Sequence, residues 1–218
     1  MKEFCAILYA DQDLLAIDKP AGILAIPDRW DPNIPVAQQL LQSQFGTLLP
    51  VHRIDKDTTG VLLYARNEVA HRIISCDFSS RKIEKIYFAI VHGQPESQAW
   101  EVGLPLRADG DRLHRTIIDA SKGKEAKTRF EVIERFRGFA LVLAIPETGR
   151  THQIRCHMAY LGHPLMGDDL YGGKLDKISR QALHCARLEF YHPIKNEYIT
   201  VTAEIPEDMR SVINNKED

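Results

Sequence analysis

The run KTRFEVIERFRGFALVLAIP, residues 127 to 146, constrains the fold more than any other stretch, because it reads as two strands turning at Arg137-Gly138. A hairpin commits its strands to antiparallel pairing, since so short a turn cannot return the chain to the start of a parallel neighbour. Strand-like runs recur on both sides of it. CAILYADQDLLAIDKP reads as two short strands around a DQD turn, ending where Pro20 withholds a ladder donor. VLLYA follows Gly60, KIYFAIVHG (85 to 93) is the clearest strand, and ALHCARLEFYHP and EYITVTAEIP supply the last ones.

Helical spacing appears in fewer places. PVAQQLLQSQFG sets Val36, Leu40 and Leu41 at that spacing with Gly46 as a stop, and NEVAHRIISCDFSS opens on Asn67 as N-cap with Val69, Ile73 and Ile74 on one face. RTHQIRCHMAYLGHP carries Ile154, Met158 and Leu161, then Gly162 and Pro164, and IPEDMRSVINNKED reads as a surface helix fraying into a polar end. Strands outnumber helices, and no regular βαβ alternation or repeat appears. The expected class is therefore α+β, a mixed and mostly antiparallel sheet flanked by a few helices. With 218 residues the chain can bury one large core or two packed lobes, and a single domain over 1–218 is the expectation.

No run of about 18 apolar residues exists, and the start, MKEFCAILYADQD, lacks a signal-peptide pattern, so a cytoplasmic chain with no membrane partner is expected. Cys5, Cys76, Cys156 and Cys185 are scattered, form no C-x-x-C pair, and read as reduced, buried thiols. The net charge of -2 hides an uneven distribution: residues 51 to 157 hold eighteen Lys and Arg against fourteen Asp and Glu, with an acidic segment at each end. A basic middle can hold a polyanion, although so small an excess also arises by chance.

Two charged segments stand out. In VHRIDKDTTG, residues 51 to 60, Asp55 and Asp57 sit among Arg53, Lys56 and a Thr58-Thr59-Gly60 turn. One reading is ordinary turn chemistry, with the aspartates accepting backbone N–H groups. The other is a carboxylate held rigidly at the mouth of a strand to attack an electrophilic carbon, kept ionised by a nearby guanidinium. The second segment, TGRTHQIRCH, crowds Arg150, His152, Gln153, Arg155 and His157 at a helix start, where cations oppose the dipole unless an anion compensates. Arg155 lies on the margin of the apolar stripe and points inward only if paired, with Asp55 the expected partner. A solvated helix face is the competing reading.

Metal binding by His152, His157 and His163 is not expected, because spacings of five and six do not set two imidazoles on one helical face. G-x-x-x-x-G-K-[ST], G-x-G-x-x-G and G-x-S-x-G are absent, so no cofactor has a visible socket. Tyr87 in KIYFAIVHG reads as a structural strand tyrosine or as a ring for stacking on a base with an oxygen for proton transfer.

Taken together these segments resemble the RluA-type pseudouridine synthases. DKPAGILAIP is similar to that family's K-P-x-G segment, HRIDKDTTG to its H-R-L-D-x-x-T-S-G loop, and KIYFAIVHG carries its K-x-Y strand. GKEAKTRFEVIE, TGRTHQIRCHMAYLGHPLMGDDLYG and LHCARLEFYHP resemble the remaining motifs in order, with Ile54 for the usual leucine and Thr59 for the usual serine. The resemblance implies a central cleft, Asp55 as nucleophile, Arg155 as its salt-bridge partner and Tyr87 as the ring stacking on uracil. It also implies RNA contacts from His52, Arg53, Thr59, Arg150, His152 and Gln153, and an apolar floor at Leu183. The implied reaction isomerises uridine to pseudouridine in ribosomal or transfer RNA, through a covalent or a glycal-type intermediate, with no cofactor and in a monomer. The motifs begin within about 20 residues of Met1, so no S4-like RNA-binding module is expected before them. A catalytically silent RNA binder and a base-excising glycosidase would use the same fold or carboxylate, and only an isomerase conserves mass.

Overall fold

The computed structural model describes residues 4–27 and 33–215. Along the chain run β1 (Ile7–Ala10), β2 (Leu14–Lys19), α1 (Ala37–Phe45), β3 (Leu49–Pro50), β4 (Thr59–Ala65) and α2 (Glu68–Ser79). Then come β5 (Glu84–His92), β6 (Ala99–Val102), β7 (Leu106–Arg107), β8 (Ile117–Ile118), β9 (Thr128–Phe136), β10 (Phe139–Pro146) and α3 (Gln153–Tyr160). After a single 3-10 turn at Asp169–Tyr171, β11 (Leu183–Tyr191), β12 (Tyr198–Thr202) and α4 (Glu207–Asn214) complete the fold. The chain divides into two compact units, Met1–Lys85 with Cys185–Glu204, and Ile86–His184 with Ile205–Asp218.

In the first unit the strand order is β1-β2-β4-β11, with β12 on β11 and β3 on β4. The pairings β1–β2, β2–β4, β3–β4 and β11–β12 are all antiparallel. Every residue of β4 is buried, which is why TGVLLYA carries almost no polar side chain. Leu15, Ile17, Ala25, Ala37, Leu41, Leu48, Leu62 and Tyr64 form the core. Helix α1 keeps part of the predicted stripe: Val36, its N-cap, and Leu41 are buried together with Ala37, whereas Leu40 is 46% exposed. In α2 the predicted cap holds, the Asn67 side chain accepting the Ala70 N–H at 2.9 Å. That helix buries Ala70 and Ile74 and leaves Val69 half exposed.

The second unit orders β5-β10-β9-β6, again with antiparallel neighbours. Its centre is the hairpin expected at Arg137-Gly138: Phe136 pairs with Phe139, their rings stack at 4.6 Å, and Gly138 supplies a φ of +81°. Strand β9 begins with alternating buried and exposed residues, whereas six of the eight residues of β10 are buried, as expected of an edge-side and an inner strand. The register slips opposite Leu141 and Val142, which leaves Ile133 unmatched and 48% exposed. Ile90, Phe139, Leu141 and Met166 pack with Met209 and Val212 of α4, the predicted C-terminal helix. Its fraying end at residues 216–218 lies outside the described residues. In α3, Ile154 and Met158 are buried as the spacing predicts, but Leu161 is the C-cap and 39% exposed.

None of the four cysteines forms a disulfide; Cys156 and Cys185 are buried, Cys5 is half-buried, and Cys76 is exposed rather than buried because it lies on the outer face of α2. No helix among the described residues is long and apolar enough to cross a membrane.

Candidate active site

The loop before β4 is built largely from backbone. Thr58 N–H closes a turn onto Asp55 O at 3.1 Å, and Gly22 N–H donates to Lys56 O at 3.1 Å. Lys19, fully buried at the end of β2, donates its ammonium to Pro20 O, Ile23 O and Lys56 O at 2.8, 2.8 and 2.7 Å. Three carbonyls thus replace the hydration an ammonium loses on burial, and they tie the loop to the segment after β2. Gly60 has a φ of +103°, and a Cβ there would lie 2.2 Å from Cys185 O, so only glycine lets β4 run this close to β11.

On this support Asp55 is half-buried, Arg53 is exposed and Thr59 is buried. His52 is a strut: its Nε2 accepts the Leu63 N–H at 2.9 Å and its ring stacks on Phe78 at 4.6 Å. Burial, and then the charge of Lys85, pull its pKa down to about 3, so it stays neutral at physiological pH.

In the second unit Tyr87 is 8% exposed on β5, and Leu183 is buried at the start of β11. Arg150, His152, Gln153 and Arg155 come together at the start of α3. His152 is the N-cap and holds a left-handed φ of +52°. Gln153 is 4% exposed and knits the turn together: its Oε1 accepts from Thr148 Oγ1 and Arg150 N–H, and its Nε2 donates to Lys127 O and Thr128 Oγ1. Arg150 is exposed, with Nε donating to Glu125 O at 2.9 Å. His157 is fully buried between Thr128 Oγ1 and Leu104 O, and burial lowers its pKa.

The anion that the cations at this helix start call for is partly supplied by Asp168. Arg155 Nε donates to its Oδ2 at 2.7 Å and Nη2 to its Oδ1 at 2.8 Å, both groups being buried. Neither Asp168 nor Lys19 was assigned a role from sequence. A signal existed for Asp168: an inward arginine needs a carboxylate, and Asp168 is the first acidic residue after Glu147. Lys19 gave no such signal, because its acceptors are main-chain carbonyls.

Asp11, Asp13 and His192 bring potential metal ligands within 4.8 Å of one another. The Asp11 carboxylate, however, already accepts from Lys195 Nζ, Tyr9 Oη and His192 Nε2 at 2.8, 2.8 and 2.9 Å. Burial would raise its pKa, but Lys195, the Asp13 N–H, Tyr9 and the Leu14 N–H hold it well below the carboxylate range. The Asp11 carboxylate is thus already satisfied by protein donors, the Lys195 ammonium among them.

Comparison with known proteins gives a consistent picture. The profile of the family described as RNA pseudouridylate synthase matches residues 13–160. Over 219 residues the chain is 40% identical to the uncharacterized RNA pseudouridine synthase YlyB of Bacillus subtilis, spanning 96% of this chain and 72% of that one. It is 35% identical to the dual-specificity RNA pseudouridine synthase RluA of Haemophilus influenzae over 94% of both chains. The ribosomal large subunit pseudouridine synthase D of Zymomonas mobilis is 36% identical over 94% of this chain and 70% of its own. Among solved structures, human RNA pseudouridylate synthase domain containing 1 superposes with a TM-score of 0.76 at 29% identity, covering 93% of this chain and 84% of that one.

Proposed function

This chain belongs to the RNA pseudouridylate synthase family and is an RNA pseudouridine synthase, an isomerase; from that premise we propose that Asp55 is its nucleophile, with Tyr87 and Arg155 completing the catalytic group. The observation that carries the reading is the ordered loop of residues 52–60, which presents a half-buried aspartate on a backbone fixed by Lys19 and Gly60. Catalysis depends on such rigidity, because a carboxylate acts on carbon efficiently only when held within a fraction of an ångström of the productive geometry.

In the reaction the N1–C1′ bond of uridine breaks and uracil departs as a delocalised anion. The base turns, C5 joins C1′, the C5 proton is lost and N1 gains one. A glycosidase needs a second carboxylate to protonate a poor leaving group; a uracil anion does not, so one aspartate suffices. Tyr87, on β5, provides a ring to stack on the base and a phenol for the C5 proton. Arg155 is assigned the role of counter-charge to the nucleophile, and Leu183 that of part of the apolar floor. Extruding a base from structured RNA costs a few kcal/mol. Arg53, Arg150 and His152 offset that cost through phosphate and stacking contacts, and His52, Thr59 and Gln153 are assigned to the same RNA-binding set, His52 and Gln153 also bracing their own segments.

The substrate on this reading is a uridine in ribosomal or transfer RNA, in keeping with relatives named for the large ribosomal subunit and for dual specificity. The reaction is assigned to one copy of the chain acting in the cytoplasm, where those RNAs reside. Mapping pseudouridine by carbodiimide-dependent primer-extension stops in total RNA, with and without this gene, tests it. A stop that vanishes with the gene identifies the uridine; an unchanged pattern in both ribosomal and transfer RNA counts against the substrate assignment.

A further inference from the structure

The guanidinium of Arg155 is held on one edge and one face at once. Its Nε–Nη2 edge forms the side-on fork with Asp168, which is 1% exposed. Its Cζ lies 5.1 Å from the centroid of the Tyr171 ring. That phenol is itself pinned: it donates to Thr116 O at 3.0 Å, accepts the Thr116 N–H at 2.9 Å, and lies 3.1 Å from His152 Nδ1. Burial pushes its pKa well above the ordinary value, so the hydroxyl keeps its proton. One 3-10 turn presents both groups, because Tyr171 N–H closes onto Asp168 O at 3.0 Å.

We propose that Asp168 and Tyr171 are positioning residues that fix the plane and orientation of the Arg155 guanidinium for its part in the reaction. The inference rests on the reading of Arg155 as partner of Asp55. A long, flexible side chain held by one anion alone can swing about its torsions; a fork on one edge with a ring against one face removes that freedom. The Asp168 charge also offsets the guanidinium, so the nucleophile is oriented without being held too tightly to react.

The test is kcat and KM on transcribed RNA, with thermal melting, for the wild type, Asp168→Asn, Asp168→Glu, Arg155→Ala and the Asp168→Asn/Arg155→Ala double variant. Asp168→Asn is expected to lower kcat at least about tenfold with KM within about threefold, and the double variant to be no slower than Arg155→Ala, as for residues acting through one another. Asp168→Glu keeps the buried charge but displaces the fork, and is expected to melt near wild type while turning over more slowly; it decides the matter if Asp168→Asn fails to fold. A folded Asp168 variant within about twofold of wild-type kcat, or losses that multiply in the double variant, overturns the inference. Asp55→Ala separates the two levels. If it is inactive while the Asp168 variants are fast, only the positioning role fails; if it is active, the reading of Asp55 and Arg155 fails first.

Discussion

The loop at 52–60 and the segment at 150–171 both keep charges in a poorly hydrated setting, but by opposite means. Beneath the loop the buried Lys19 ammonium gathers three main-chain carbonyls, one of them the loop's own Lys56 O, and a glycine lets two strands approach. In the segment, side chain meets side chain: Arg155 on Asp168, Tyr171 near His152, Gln153 on Thr148 and Thr128. A backbone-built loop has few ways to relax, so a change beneath it should move the chain itself. A side-chain network can lose a peripheral member and keep its fold.

The largest expected effect is Gly60→Ala. Its Cβ would meet Cys185 backbone at 2.2 Å in a left-handed conformation, and the two costs together come to about 2–5 kcal/mol. Urea unfolding should show a loss of that size with a matching loss of activity; a loss under about 1 kcal/mol would mean that β4 and β11 are not held this tightly. Lys19→Met comes next, removing the donor to three carbonyls and costing about 2–3 kcal/mol. Hydrogen exchange at Lys56 and Gly22 should quicken in this variant while exchange in α3 does not.

Acidification sharpens the contrast. His52 titrates near pH 3 when folded and near about 6.5 when unfolded, so the unfolded state takes up a proton that the native state refuses. The stabilisation is complete above about pH 6.5 and is lost as the pH falls towards 3, at up to about 1.4 kcal/mol per pH unit. Replacing His52 by Phe should flatten that slope in urea titrations between pH 7 and 4. The smallest effect on stability is expected in the other segment: Arg150→Ala should change it by less than about 0.5 kcal/mol, because the side chain is exposed. It should weaken RNA binding all the same and reduce the salt slope by about one phosphate contact. Unchanged affinity across salt would remove Arg150 from the RNA surface.

Much of the fold was legible because its signals are local. The Arg137-Gly138 turn, the Asn67 cap and the Gly46 and Gly162 stops each depend on a few neighbouring residues. On α1 and α2 the expected inward residues Val36, Leu41 and Ile74 are buried, but Leu40 and Val69 are exposed, because a residue's periodic position does not say how wide a stripe the core covers. Asp55 and Arg155 stood out as charges beside apolar runs. Asp168 and Lys19 did not, since the first acts 13 residues from its partner and the second binds carbonyls that every residue possesses. His52 and Gln153 were expected at the RNA; the contacts found for them are internal, which composition and spacing cannot distinguish.

The central claim is that Asp55 carries out the isomerisation, and purified protein on a transcribed target RNA tests it most directly. Wild-type protein should convert uridine to pseudouridine with the RNA mass unchanged and no free uracil. Asp55→Ala should fold, melt within a few degrees of wild type, and form no pseudouridine over many wild-type turnovers. Pseudouridine formed by Asp55→Ala at a rate near wild type would contradict the account.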